Sequence, residues 1–167
     1  RFTTTSKEFA CHHCNKLPKD GMNKDLIKKL NELWEYVEKQ NPGKKVKITI
    51  MSGYRCPTHN KNVGGAKNSQ HMQGIAADIK VYVDGKQVSP KTVKTYAEKI
   101  GFNGIGLYKT FTHVDVRKNV ARWNGSYYGA AVLIIAAVVV LAVLAVIPHF
   151  VILREAKDLR NRFFGHS

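Results

Sequence analysis

The sequence predicts an α+β domain, a small and mostly antiparallel sheet with flanking helices, followed by a separate apolar helix near the C-terminus. Three observations carry that prediction. Apolar residues recur at helical spacing in two stretches, Leu26 to Val37 and Val93 to Ile100. Between turn residues lie short runs rich in Val, Ile and Thr, the pattern of strands. The eighteen residues from Ala130 to Ile147 are apolar without interruption, close to the length a helix needs to cross the hydrocarbon layer.

Taken in order, Asn23 is placed to cap a helix running to about Gln40, because Leu26, Ile27, Leu30, Leu33, Trp34 and Val37 share one face. Asn41-Pro42-Gly43 ends it, and Trp34 reads as core packing. Val46, Ile48 and Ile50 alternate with Lys45, Lys47 and Thr49, giving a strand with one wet face that delivers Ser52-Gly53-Tyr54-Arg55 at its end. A polar loop containing Gly64-Gly65 follows and leads to Ser69-Gln70-His71-Met72-Gln73-Gly74. Ala76 to Val83 reads as a second strand, turned by Asp84-Gly85 into Lys86-Gln87-Val88. Ser89 and Pro90 suit the cap and first position of a helix that points Val93, Tyr96, Ala97 and Ile100 inward and stops at Gly101. Gly104 to Tyr108 and Phe111 to Val116 form a hairpin around Lys109-Thr110. The expected organisation is a folded domain over 1–126, a transmembrane helix over 127–153 and a short basic tail over 154–167. A buried core helix is the alternative for the apolar stretch, but such a helix ordinarily keeps a polar face.

Lys and Arg number 27 against 12 Asp and Glu, for a net charge of +15. Four of the basic and two of the acidic residues lie beyond residue 129, so +13 belongs to the folded domain. That surplus favours anionic partners: nucleic acid, acidic lipid or a charged wall polymer. The lysines are scattered, without the aromatic interleaving of a single-strand groove or a basic recognition helix, so no nucleic-acid partner is expected. The chain starts at Arg1 without a signal-peptide pattern, which reads as a processed or truncated start and leaves the export route open.

The three cysteines are too few for a disulfide scaffold. Cys11-His12-His13-Cys14 and Cys56-Pro57-Thr58-His59 offer a Cys-x-x-Cys and a Cys-x-x-His that together suit a structural zinc. A disulfide from Cys56 to Cys11 or Cys14, or simple buried thiols, are the alternatives.

The chemistry concentrates in two polar clusters, one from Ser69 to Asp78 and one at His113-Val114-Asp115. His71 and Asp78 are seven positions apart with Gly74 between, which excludes the facing pair of a helical His-Glu-x-x-His motif. If His71 lies in the loop entering the strand that bears Asp78, imidazole and carboxylate can meet one ion, with His113 from a later strand as third ligand. Three protein ligands and one open position is the catalytic pattern of zinc. Asp115, two residues beyond His113, is on the same strand face.

Four separated motifs occur in an order and spacing that resemble the zinc D-alanyl-D-alanine carboxypeptidases and phage endolysins of the peptidase M15 family. They are Ser52-Gly53-Tyr54-Arg55, Ser69-x-His71-x-x-Gly74-x-Ala76-x-Asp78, Gly104-x-Gly106-x-Tyr108 and Phe111-Thr112-His113-Val114-Asp115. The resemblance covers residues 6 to 124, including Glu8-Phe9-Ala10-Cys11, Cys56-Pro57-Thr58-His59-Asn60 and Arg122-Trp123. It implies the hedgehog-like fold of those enzymes and Zn2+ held by His71, Asp78 and His113. It also implies an Arg55 that binds substrate or steadies charge on the carbonyl oxygen, and a pocket lined by Tyr54 and Ser69. The implied substrates are peptidoglycan stem peptides with D-residues, cut at D-Ala-D-Ala, at L-Ala-D-Glu or at a cross-link. The implied setting is the wall side of a bacterial membrane, reached through the C-terminal helix, or release as a phage-type lysin, with a monomer expected. Many relatives carry an acid three residues before the third ligand, where this chain has Thr110. Asp115 is left either as the general base or as a group that orients a ligand. A catalytically lapsed, metal-stabilised wall-binding module is the alternative that Thr110 suggests.

Overall fold

Helix α1 (Lys24–Gln40) starts at the expected cap: the Asn23 side chain accepts the amides of Asp25 and Leu26 at 2.9 and 3.2 Å. This is a computed structural model, and it describes residues 1–125. The apolar helix expected over 127–153 and the basic tail over 154–167 lie outside the described residues. Among those described, no helix is long and apolar enough to cross a membrane.

Strand β1 (Val46–Ser52) pairs antiparallel with β2 (Ala76–Val83), and a tight turn returns β2 into the two-residue β3 (Lys86–Gln87). Helix α3 (Pro90–Ile100), capped by Ser89 and closed by left-handed Gly101, leads to β4 (Gly104–Leu107) and β5 (Thr112–Asp115). Between β1 and β2 the expected polar loop contains a short helix, α2 (Pro57–Asn62). It forms without an apolar stripe because Pro57 presets its first turn, Cys56 Sγ caps the amide of His59, and Asn60 is buried with Nδ2 donating to Ala66 O at 2.9 Å. A last strand, β6 (Ala121–Asn124), was not anticipated, and it pairs parallel with β4. The sheet order is β1-β2-β5-β4-β6 with β3 beside β2, so the sheet is mixed, with its other pairings antiparallel.

Strand alternation gives this sheet two different faces. One carries Ala77, Ile79, Val81, Ile105 and Val114 against Leu26, Leu30, Leu33 and Val37 of α1 and Val93 and Ala97 of α3, all fully or almost fully buried. At about 1.5–3 kcal/mol for each large aliphatic side chain, this layer is the main stabilising element. Tyr36 and Tyr96 add an edge-to-face contact between α1 and α3, their centroids 5.2 Å apart. The other face carries the polar residues.

Candidate metal centre

Register places that chemistry. Asp78 on β2 lies opposite His113 on β5, His113 lies opposite Gly106 on β4, and Gly106 is aligned with Trp123 on β6. On the far side, a bulge at Met51 shifts β1 so that Ser52 joins the same row. Ser52, Asp78, His113, Gly106 and Trp123 therefore form one line across five strands. The glycine is required there: a Cβ on Gly106 would stand 2.5 Å from Trp123 Cε2. Its absence lets the indole approach His113, with ring centroids 5.1 Å apart.

His71 comes from outside the sheet, on a 3-10 turn (Gln70–Gln73) that precedes β2. Ser69 Oγ accepts the His71 amide at 3.3 Å, and Gly74, at φ +67°, reverses the chain so that β2 can begin. The two imidazoles and the carboxylate then converge. His113 Nδ1 lies 2.9 Å from Asp78 Oδ1, and His71 Nε2 lies 3.3 Å from that oxygen and 3.2 Å from His113 Nδ1. A tetrahedral zinc with bonds near 2.05 Å needs donor separations of about 3.3 Å. All three residues are buried.

The outer ring nitrogens decide which atoms face inward. His71 Nδ1 is 2.7 Å from the Gly53 carbonyl, which can only accept, so Nδ1 carries the hydrogen and Nε2 presents a lone pair. His113 Nε2 is 2.8 Å from Asp115 Oδ2, and the same logic turns the Nδ1 lone pair inward. Three acceptors thus meet, which is repulsive unless a cation or proton lies between them. The charges reflect this. Burial raises the Asp78 carboxyl, but the neighbouring His113 and His71 imidazoles outweigh it and hold the group well below the usual range. Burial lowers His113, yet its bonds to Asp115 and Asp78 leave it above the ordinary imidazole value. A soft-to-borderline dication suits this set of two neutral imidazoles and one carboxylate.

The surrounding residues are tied to the ligands. Arg55 donates from Nη2 to Asp78 Oδ2 at 2.8 Å and from Nε to Ser52 Oγ at 2.9 Å, which leaves Nη1 uncommitted by these bonds. Asp115 is fully buried, and its oxygens also receive Arg117: Nε at 2.8 Å and the backbone amide at 3.0 Å, both to Oδ1. Burial would raise the Asp115 carboxyl, but the His113 and Arg117 bonds hold it low. Arg117 in turn lies over Trp123, 4.9 Å from the ring. Arg117 and Trp123 were not assigned roles in the sequence reading. The Asp115-x-Arg117 spacing, a carboxylate two residues before a guanidinium, was the available signal for the first.

Tyr54 and Ser69 are placed less simply. Ser69 acts on the His71 turn, as described. The Tyr54 amide donates to Phe9 O at 2.8 Å and its ring packs on the core; burial, with Cys14, Cys56 and Cys11 nearby, raises its phenol. Those cysteines form a second cluster. They are free thiols here, with sulfur atoms all within 4.8 Å of one another. The His59 amide donates to Cys56 Sγ, and the His59 ring lies 6.0 Å from that of His12.

Comparison with known proteins agrees with the motifs. The profile of the family described as Peptidase M15 matches residues 4–116. A zinc D-Ala-D-Ala carboxypeptidase of Streptomyces albus G is 59% identical over 32 residues, which are 19% of this chain and 12% of that protein. A probable peptidoglycan L,D-endopeptidase, MepK, of Haemophilus influenzae is 35% identical over 85 residues, 47% of this chain and 43% of that protein. The chain thus spans less than half the length of either curated relative.

Proposed function

The chain belongs to the peptidase M15 family, and from that premise we propose that it is a zinc-dependent peptidase hydrolysing peptidoglycan stem peptides that contain D-residues. The observation that carries the reading is the convergence of His71 Nε2, Asp78 Oδ1 and His113 Nδ1, with both outer imidazole nitrogens already engaged by acceptors. When bound there, zinc supplies Lewis acidity toward a peptide carbonyl and toward water. The chain's own residues supply the rest. Gly53 O and Asp115 hold protons on His71 Nδ1 and His113 Nε2, which keeps both rings in the ligating tautomer. Arg55 fixes the Asp78 carboxylate through Oδ2, and its remaining Nη1 is the donor for an oxygen of the substrate. Trp123 covers the side of His113 that Gly106 leaves open.

Asp115 is read as a positioning residue, because its oxygens are engaged by His113 and Arg117 in a fully buried setting. The same observation favours a second reading, a lapsed module that keeps its metal and binds wall without turnover. The names of the two relatives support wall peptides as the substrate class, at D-Ala-D-Ala for one and at an L,D bond for the other. The work would then take place at the cell wall, beside a bacterial membrane or after release as a phage-type lysin. Mass spectrometry of muropeptides released from purified sacculi tests this. Wild type should yield products cut in the stem and His71→Ala none, whereas intact muropeptides with both proteins refute hydrolysis and favour the module.

A further inference from the structure

We propose that Cys11, Cys14 and Cys56 form a second metal site, a structural zinc centre independent of the His71 centre. The argument starts with the backbone. Asn15 adopts φ +55°, a left-handed conformation that asparagine tolerates, and the Cys11 and Asn15 amides donate to Lys16 O at 2.9 Å and Cys11 O at 2.8 Å. This tight reversal brings Cys11 and Cys14 to one side. Cys56 arrives from the end of the β1 loop, and the three sulfurs lie within 4.8 Å of one another. Zinc–thiolate bonds of about 2.3 Å in a tetrahedron separate sulfurs by about 3.8 Å, so a small contraction suffices.

The amide groups of the site are arranged for thiolates. Cys11 Sγ receives the amide of Cys56 at 3.4 Å, and Cys56 Sγ receives that of His59 at 3.4 Å. Hydrogen bonds to sulfur favour the charged form that a metal takes. Three clustered sulfurs, two of them with an amide donor, exceed what a disulfide needs, which would strand one of them. Binding would displace the thiol protons to solvent and leave three thiolates on the dication, with His12, His13 and Lys16 exposed in the same turn. His59, on the first turn of α2, contributes its amide to Cys56 Sγ, while its ring lies 6.0 Å from that of His12, so the three sulfurs make the cluster.

The site has a structural consequence. Cys56 directly follows Arg55, and the N-terminal strand of contacts is continuous from Cys11 to Phe9, whose carbonyl receives the Tyr54 amide. A zinc there would staple the first sixteen residues to the loop that bears the Gly53 carbonyl and Arg55, both of which touch the His71 centre.

The test is metal analysis of the 167-residue chain, purified under reducing conditions and loaded with zinc. About two equivalents are expected for wild type, and about one each for Cys14→Ser and His71→Ala. Loading wild type with cobalt needs no variant: an intense near-ultraviolet thiolate-to-cobalt charge-transfer band is expected, and it should persist in His71→Ala and weaken in Cys14→Ser. A wild type that binds one equivalent, a cobalt spectrum without that band, or a mass two hydrogens light from a disulfide would each overturn the proposal. Loss of the band with the His71 equivalent retained would leave the peptidase reading untouched.

Discussion

Replacing Asp115 with asparagine separates ligand positioning from proton transfer. The substitution preserves shape but leaves one oxygen where two were used, so it can serve the His113 Nε2–H or the Arg117 guanidinium well, not both. Carboxylates that orient a metal-binding histidine contribute ten- to a hundredfold in metal affinity, or about 1.4–2.7 kcal/mol. Loss of the partner of a buried charge costs about 3–5 kcal/mol. Arg117 is partly exposed and keeps its contact with Trp123, so about 1–3 kcal/mol of fold stability is expected to go. Zinc competition against a chromophoric chelator and urea unfolding of the metal-free chain read the two quantities. Zinc affinity equal to wild type, with turnover abolished, would refute the positioning role and make Asp115 the proton-transfer group.

Two further outcomes follow from the same row of residues. In the metal-free chain, the Asp78 and Asp115 carboxyls sit below their ordinary value of 3.8, so they stabilise the fold above that pH and the benefit is lost as pH falls further. His113 sits above its ordinary 6.5, so its contribution is complete below that pH and is lost as pH rises through the raised value. The thermal midpoint of chelated protein should therefore be highest between about 4 and 6.5, and a midpoint that climbs steadily through pH 8 contradicts the linkage. Gly106→Ala drives a methyl to within 2.5 Å of Trp123 Cε2, and about 1–3 kcal/mol of overpacking is expected in urea unfolding, with an unchanged midpoint as the contrary result.

Much of the frame was legible because local chemistry and burial agree. Asn23, the stripe from Leu26 to Val37 and the Asn41 terminus set α1, while Ala76–Val83 and the Asp84-Gly85 turn set β2 and β3. Where structure depends on partners distant in sequence, single-residue patterns carried no signal. Helix α2 is polar and is held by Cys56 and buried Asn60. Strand β6 is four residues long and exists through parallel pairing with β4. The candidate ligands His71, Asp78 and His113 were readable from residue type and family resemblance, and the register accounts for the meeting of Asp78 and His113. The Gly53 carbonyl had no side-chain signature, and the stacking of Trp123 on His113 required knowing that Gly106 lies between them.

Reconstitution tests the central claim most directly. Chain stripped of metal by a chelator should release no stem-peptide fragments from sacculi, and zinc should restore cleavage to wild type but not to His71→Ala or His113→Ala. Cleavage that persists in the stripped chain, or returns in His71→Ala on adding zinc, would contradict the assignment of the His71, Asp78 and His113 centre as the seat of hydrolysis.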